Sequence, residues 1–183
     1  MRRAGVLLLV AATAALALAA STPAAPRTSP NAWAHVVCSS VGTWEKSIST
    51  RAGALNKLKG TDLSAVKQAL VTFLGGVVAD TQTVLAMLDK AGSPSIPNGA
   101  AAARALHSGF ARAKAFYLQD LAKAKALPVK PATKLLAGET ALGKAINVQN
   151  TQLLTIFGSL KTRYPSKALG QAFKTDPACG AIR

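Results

Sequence analysis

The side chains in this chain that could do chemistry are few: two cysteines, Cys38 and Cys179, two histidines, His35 and His107, and seven carboxylates. If the chain is exported, two cysteines suggest one disulfide. Such a bond would tie the beginning of the chain to its end and contribute at most roughly 5 kcal/mol by loop entropy. The alternative is a metal-bound or reactive thiol. His35 precedes Cys38 by three residues and could share its helix face, yet two ligands alone do not make a zinc site. Di-iron bundles need glutamates from two helices and Glu-x-x-His from two more, and this chain has only Glu45 and Glu139. Covalent haem attachment needs Cys-x-x-Cys-His, which does not occur. Ligation of haem by Met87 and His107 would use two residues at the edges of their apolar stripes. Hydrolytic triads need a histidine beside a nucleophile and a carboxylate. Neither histidine has a carboxylate within one helical turn, so a triad would have to be assembled by tertiary contact. The seven acids are scattered and suggest no glycosidase pair, and no Gly-rich phosphate loop occurs. The residues therefore call for no catalytic group, metal or cofactor, and the reading is non-enzymatic.

What remains is charge, and the compartment in which it acts. Arg2 and Arg3 are followed by an uncharged apolar run and by Ala17-Leu18-Ala19, small residues at the −3 and −1 positions. That is the pattern of a cleaved secretory signal peptide over residues 1–19. The run is short for a membrane span, which needs about 20 residues, and no later stretch reads as a transmembrane segment. Removing Arg2 and Arg3 from the 22 basic residues leaves 20 against 7 acidic, or +13. A chain so basic is attracted to anionic polymers and surfaces. Outside the cytoplasmic membrane those are cell-wall polymers, acidic polysaccharide and lipid headgroups, with nucleic acid a poorer fit. The competing reading is that the charge only keeps the protein soluble.

The elements that must position these residues are helical. Residues 20–30 contain Pro23, Pro26 and Pro30 among serine, threonine and alanine, which gives an expected disordered leader. Residues 31–183 then fit one domain. A first helix over 31–58 carries Trp33, Val37, Val41, Trp44, Ile48, Ala52 and Leu55 in one stripe, with Cys38 at its edge and His35 on the far side. A second, over 62–90, carries Leu63, Val66, Leu70, Phe73, Leu74, Val77, Thr81, Val84, Leu85 and Leu88. Gly75-Gly76 interrupts it and is read as a close approach by another helix, or as a bend that opens a pocket. Pro94 and Pro97 enforce a break, and Asn98 is the expected N-cap of a third helix over 99–126. Its inner face is Leu106, Phe110, Ala113, Tyr117, Leu121 and Ala124, with Arg104, Arg112, Lys114, Lys123 and Lys125 around the outside as the candidate anion-facing surface. A fourth helix over 132–161 has Leu135, Leu142, Ile146, Leu153, Phe157 and Leu160 in line with two polar residues, Glu139 and Gln149. A polar group on a core stripe must find a hydrogen bond or costs a few kcal/mol, so these two mark the candidate polar core site. A short fifth helix over 166–174 presents Leu169 and Phe173.

Residues 122–134, AKAKALPVKPATK, resemble in composition the Lys-Ala-Pro tails of chromatin proteins, a likeness that carries little beside a signal peptide. The layout as a whole resembles small secreted helical proteins of actinobacteria to which no function is assigned. The matching features are Cys38 and Trp44 on the first helix, the Ile96-Pro97-Asn98-Gly99 turn, and Leu169, Phe173 and Cys179 near the end. The resemblance implies secretion and a helical bundle and supplies no catalytic residues. The expected fold is all-α: an antiparallel four-helix bundle, since short connections make antiparallel neighbours, with a short fifth helix and the Cys38–Cys179 disulfide. Three functions follow in order. The first is a secreted basic protein associating with anionic cell-envelope components. The second is a binding module for a small apolar or amphipathic ligand between the helices, near Gly75-Gly76 and Glu139. The third, well behind, is an enzyme whose histidine and carboxylate converge only in the folded chain.

Overall fold

The computed structural model describes residues 26–57 and 62–180. The expected signal peptide at 1–19, the first part of the expected leader, the Gly60-Thr61 break and the Phe157 side chain lie outside the described residues. Within them the chain is mostly helical. In order come β1 (Arg27–Thr28), α1 (Pro30–Asn56), α2 (Leu63–Ala91), β2 (Ser93–Pro94), α3 (Gly99–Ala126), α4 (Ala132–Arg163), α5 (Lys167–Thr175) and α6 (Pro177–Gly180).

Local chemistry sets the boundaries. Ser29 caps α1, its hydroxyl accepting from the Ala32 amide at 3.2 Å, with Pro30 opening the first turn. Asp62 caps α2 by accepting from the amides of Ser64 and Ala65 at 2.9 and 3.2 Å. Ser166 does the same for α5 through Leu169. Gly92 closes α2 at φ 63°, and a Cβ there would lie 2.1 Å from the Pro26 carbonyl oxygen. Both the backbone conformation and the passing chain therefore require glycine. Asn98 occupies the N-cap position of α3 as expected, but it sits in the left-handed region at φ 58° and its side chain makes no capping bond.

The leader departs from expectation in its last residues. Arg27 and Thr28 pair in parallel with Ser93 and Pro94, and the Thr28 hydroxyl donates to the Ala91 carbonyl at 2.5 Å. Residues 26–30 are thus part of the folded domain. They close the turn between α2 and α3, and Trp33 Nε1, donating to the Gly92 carbonyl at 3.2 Å, holds the same turn from α1.

The core is built where the stripes meet. Trp44 stands at its centre: Nε1 donates to Thr81 Oγ1 at 2.9 Å, and its ring meets Phe110 edge-on at 5.6 Å between centroids. One side chain therefore fixes α1 against α2 and α3 together. The expected stripe residues of α2 from Leu70 to Leu88 and those of α3 are buried, Leu121 partly so. Ile48, Ala52 and Leu55, toward the end of α1, are only partly buried against the core. At Gly75-Gly76 the approach of another helix is limited to one side chain of α1 and to the second glycine. A Cβ at Gly75 would meet nothing within 4 Å, whereas one at Gly76 would lie 2.4 Å from Arg51 Nη1. Arg51 crosses the bare backbone there to reach Asp80 at 2.9 Å.

Cys38 and Cys179 form a disulfide with Cα atoms 4.9 Å apart, joining residues 141 positions apart. Through it α5 and α6 lie on α1. Trp33 receives Phe173 edge-on at 6.0 Å. Among the long helices α2 is the hub, packing on α1 and α3, while α4 packs chiefly on α3 and more lightly on α2. Between α1 and α4 the packing is slight, and a groove of about 250 Å³ runs there, lined by Val41, Trp44, Glu45, Ile48, Ser49, Asn150 and Leu153. By length and composition α2 could cross a membrane, with a mean hydropathy of 1.5. This length of apolar helix runs against the expectation of no later segment apolar enough to span. The same hydropathy follows from α2's place in the fold, where one helix must pack against three others.

Candidate functional site

The α3–α4 half of the molecule concentrates positive charge. From residue 99 to 174 the chain has 12 basic residues and 2 acidic ones, Asp120 and Glu139. At about 100° per residue, Arg104, Arg112, Lys123 and Lys125 fall on the half of α3 opposite its buried row of Leu106, Phe110, Ala113, Tyr117, Asp120 and Ala124, with Lys114 at the border between the two. Arg104, Arg112, Lys123 and Lys125 are exposed and Lys114 is half-buried. Lys114 Nζ donates to Gln82 Oε1 on α2, and Arg112 Nε donates to the Ser108 carbonyl at 3.4 Å. Arg104 and Lys125 reach no carboxylate among the described residues. Phe116 and Leu118, 39% and 45% exposed, lie on the same helix among these cations.

The one carboxylate of α3 is turned away from this face. Asp120 is 1% exposed. It accepts from Lys123 Nζ at 3.2 Å through one oxygen and from Gln149 Nε2 at 3.1 Å through the other. Beside it the Tyr117 hydroxyl donates to Asn150 Oδ1 at 2.7 Å. Burial, and then the charge of Asp120, pushes the Tyr117 phenol up to about 12. Of the two residues expected to mark a polar core site, Gln149 is therefore central, and its Oε1 is buried with no hydrogen-bond partner among the described residues. Glu139 is half-buried ten residues earlier on α4, about 15 Å away along the axis. The two do not converge. Tyr117 lies on the expected inner face of α3, whereas Asp120 and Asn150 carry no sequence signal that marks them as its polar partners, though Asp120 continues the 113, 117, 120, 124 spacing that defines the buried row of α3.

Three clefts adjoin these elements. The one between α3 and α4, about 430 Å³, is lined by Gly109, Arg112, Ala113, Phe116, Gln149, Gln152, Leu153, Thr155 and Ile156. A second, about 480 Å³ between α2 and α3, includes Asp89, Ser93, Arg104, His107 and Ser108. There His107 Nε2 lies 3.2 Å from Asp89 Oδ1, with the two side chains 40% and 68% exposed. The third, about 310 Å³ between α1 and α2, is lined in part by Trp44, Asp80 and Met87. Met87 and His107 thus line different clefts and share no ligand site. His35 is exposed, as expected, but pairs with Asp176 at 3.1 Å. Both histidines therefore acquire a carboxylate by tertiary contact, and the α2–α3 cleft holds the convergence that an enzyme would require. Neither histidine is hydrogen-bonded to a hydroxyl among the described residues. In the α1–α4 groove, burial raises the Glu45 carboxyl above its usual range. No group of three or more histidine, cysteine or acidic side chains placed to hold a metal occurs among the described residues.

The chain matches no protein-family model, no curated protein and no solved structure. The functional reading therefore rests on the geometry above.

Proposed function

We propose that this is a secreted, non-enzymatic basic protein that associates with anionic components of the cell envelope through the outer face of α3. The observation that carries the reading is the separation of charge on that helix. Arg104, Arg112 and Lys125 are exposed and pair with no carboxylate among the described residues, while the helix's single carboxylate, Asp120, is turned into the α3–α4 interface and held there by Gln149 and Lys123. A charge kept only for solubility would be expected to spread over the surface. Here 12 of the basic residues fall within 99–174, and a one-signed field of that kind draws in anionic polymers. The four long helices, joined by short connections, are taken as an antiparallel bundle whose α1–α4 seam stays open. The N-terminal pattern and the disulfide support secretion, as does the resemblance to secreted helical proteins of actinobacteria. Among the described residues the exposed Asp89–His107 pair has no hydroxyl nucleophile bonded to it, and it is better read as a surface ion pair.

The test is co-sedimentation of the mature, oxidised protein with purified cell wall, anionic vesicles and neutral vesicles at low and high salt. Binding to one anionic target that falls steeply with salt is expected. It should weaken at least tenfold in a variant carrying Arg104→Gln, Lys114→Gln and Lys125→Gln. Equal binding to neutral vesicles, or binding indifferent to those changes, would sink the reading.

A further inference from the structure

The open seam between α1 and α4 holds a carboxylate with no partner. Five of the seven acids are engaged: Asp62 caps α2, and Asp80, Asp89, Asp120 and Asp176 each meet a basic side chain. Glu45 and Glu139 make no hydrogen bond or ion pair among the described residues. Of these two, only Glu45 lines one of the clefts described, the groove of about 250 Å³ along that seam. Burial raises its carboxyl above the usual range, and no cation offsets the loss of water. The carboxylate nevertheless stays accessible. Glu45 is half-buried, and among the described residues the one partnerless side-chain polar atom shut off from solvent is Gln149 Oε1.

The walls narrow the class of ligand. At about 100° per residue, Val41, Trp44 and Ile48 form the floor contributed by α1, with Glu45 and Ser49 along one margin. Leu153 and Asn150 come from α4. Ser49 is exposed and stands one turn beyond Glu45 on the same face, so a group with several donors, held by the carboxylate, also reaches its hydroxyl. No lysine or arginine lines the groove. An anion would be repelled by the carboxylate. A neutral apolar molecule would strip more water from it and return no charge. A metal ion would find one carboxylate beside an apolar floor, too few oxygens to hold it. An organic cation with a short apolar tail satisfies both the margin and the floor. The groove has room for the equivalent of roughly eight waters at about 30 Å³ each, which suits a short alkyl tail rather than a lipid chain.

We propose that the α1–α4 groove binds a small primary alkylammonium ion, with Glu45 as its counter-ion. The ammonium, which has three donors, gives one to the Glu45 carboxylate and one to Ser49 Oγ. The alkyl chain lies on Val41, Trp44 and Leu153. The net positive charge of the chain disfavours cations over most of the surface, and the unpaired Glu45 admits one here. This goes beyond envelope association and does not rest on it: Arg104, Lys114 and Lys125 line no part of the groove.

The experiment is calorimetric titration of the full mature chain, disulfide intact, with hexylammonium chloride at neutral pH and fixed ionic strength. One site per chain is expected, with a dissociation constant of about 1 mM or tighter. 1-Hexanol should bind at least tenfold more weakly, and hexanoate should not bind. Glu45→Gln, which keeps the shape of the side chain, should lower the affinity for hexylammonium to that for hexanol. Ser49→Trp, at an exposed position on the margin, should abolish binding while the far-ultraviolet circular dichroism stays unchanged. The variant carrying Arg104→Gln, Lys114→Gln and Lys125→Gln should bind hexylammonium as tightly as the parent chain, so that failure of envelope association and failure of this site are read separately. No saturable binding up to about 10 mM would overturn the proposal. So would equal affinity for hexanol, which would make the groove merely apolar. Affinity untouched by Glu45→Gln, or lost with the three α3 cations, would place the bound ion elsewhere and overturn it too.

Discussion

Asp120 carries more of the α3–α4 interface than its place in a lysine-rich stretch would indicate. Its carboxylate is 1% exposed and bonded on both oxygens. Gln149→Leu would leave one of them bare, and the expected cost is about 2–3 kcal/mol, read as a lower urea midpoint at unchanged slope. Asp120→Leu made together with Gln149→Leu removes both halves of the bond and releases the exposed Lys123 to water. Most of the loss should then return. A double variant as unstable as the single would mean that packing, not hydrogen bonding, holds the seam. The neighbouring Tyr117 gives a pH signature. Its phenol is raised to about 12 in the fold, against about 10 unfolded. Below pH 10 both states keep the proton and stability is unaffected. Between 10 and 12 the unfolded chain loses the proton first, so stability should fall by about 1.4 kcal/mol per pH unit. Tyr117→Phe should flatten that limb in denaturation curves taken from pH 9 to 12. Gln149 was legible as a polar residue on an apolar stripe. Asp120 was not singled out, because flanking lysines give it the look of a solvated face, and its partner lies 29 positions away.

At the scale of elements, helical periodicity made the stripes legible, and hard stops at Pro94, Pro97 and Pro165 located the breaks. The pairing of Arg27–Thr28 with Ser93–Pro94 left no such trace. Two residues are too few to show a period, and what orders them is a turn 63 or more positions away, through Thr28 to Ala91. Gly75-Gly76 shows where an interruption can be misread. Both glycines lie within α2, yet only Gly76 has a neighbour, the Arg51 guanidinium. Alanine at Gly75 should gain about 1 kcal/mol of helix propensity with nothing to displace, raising the melting temperature by about 3 °C. Alanine at Gly76 gains the same propensity but expels Arg51 from Asp80, which keeps the Ser47 hydroxyl at 2.6 Å. Its net benefit should be smaller by the few tenths to 1 kcal/mol of a partly exposed ion pair. Equal gains from the two changes in thermal melts would show that the Arg51–Asp80 pair contributes nothing.

For the whole molecule, the disulfide decides which parts fold as one unit. The α1–α2–α3 core is held by Trp44, Thr81 and Phe110, none of which belongs to α5 or α6. By contrast, α5 and α6 are short and lie on α1 beside it. The bond joins residues 141 positions apart, so opening it should cost the folded state up to roughly 5 kcal/mol through the unfolded chain. The local consequence is more diagnostic. With Cys38→Ser and Cys179→Ser, α5 retains Leu169 and Phe173 as anchors, the Ser166 cap, and the His35–Asp176 pair just beyond its end. A nine-residue helix is marginal without tertiary support. Hydrogen exchange in α5 and α6 should therefore accelerate well before that of α2 and α3. Trp33, which loses its edge-on contact with Phe173, should shift its emission to the red, while Trp44 keeps a buried spectrum. Variants of each tryptophan to phenylalanine assign the two signals. If α5 and α6 stay as protected as in the oxidised protein, apolar docking alone holds the C-terminus to α1. If α2 and α3 loosen together with them, the molecule is a single cooperative unit, and the disulfide stabilises all of it rather than one end.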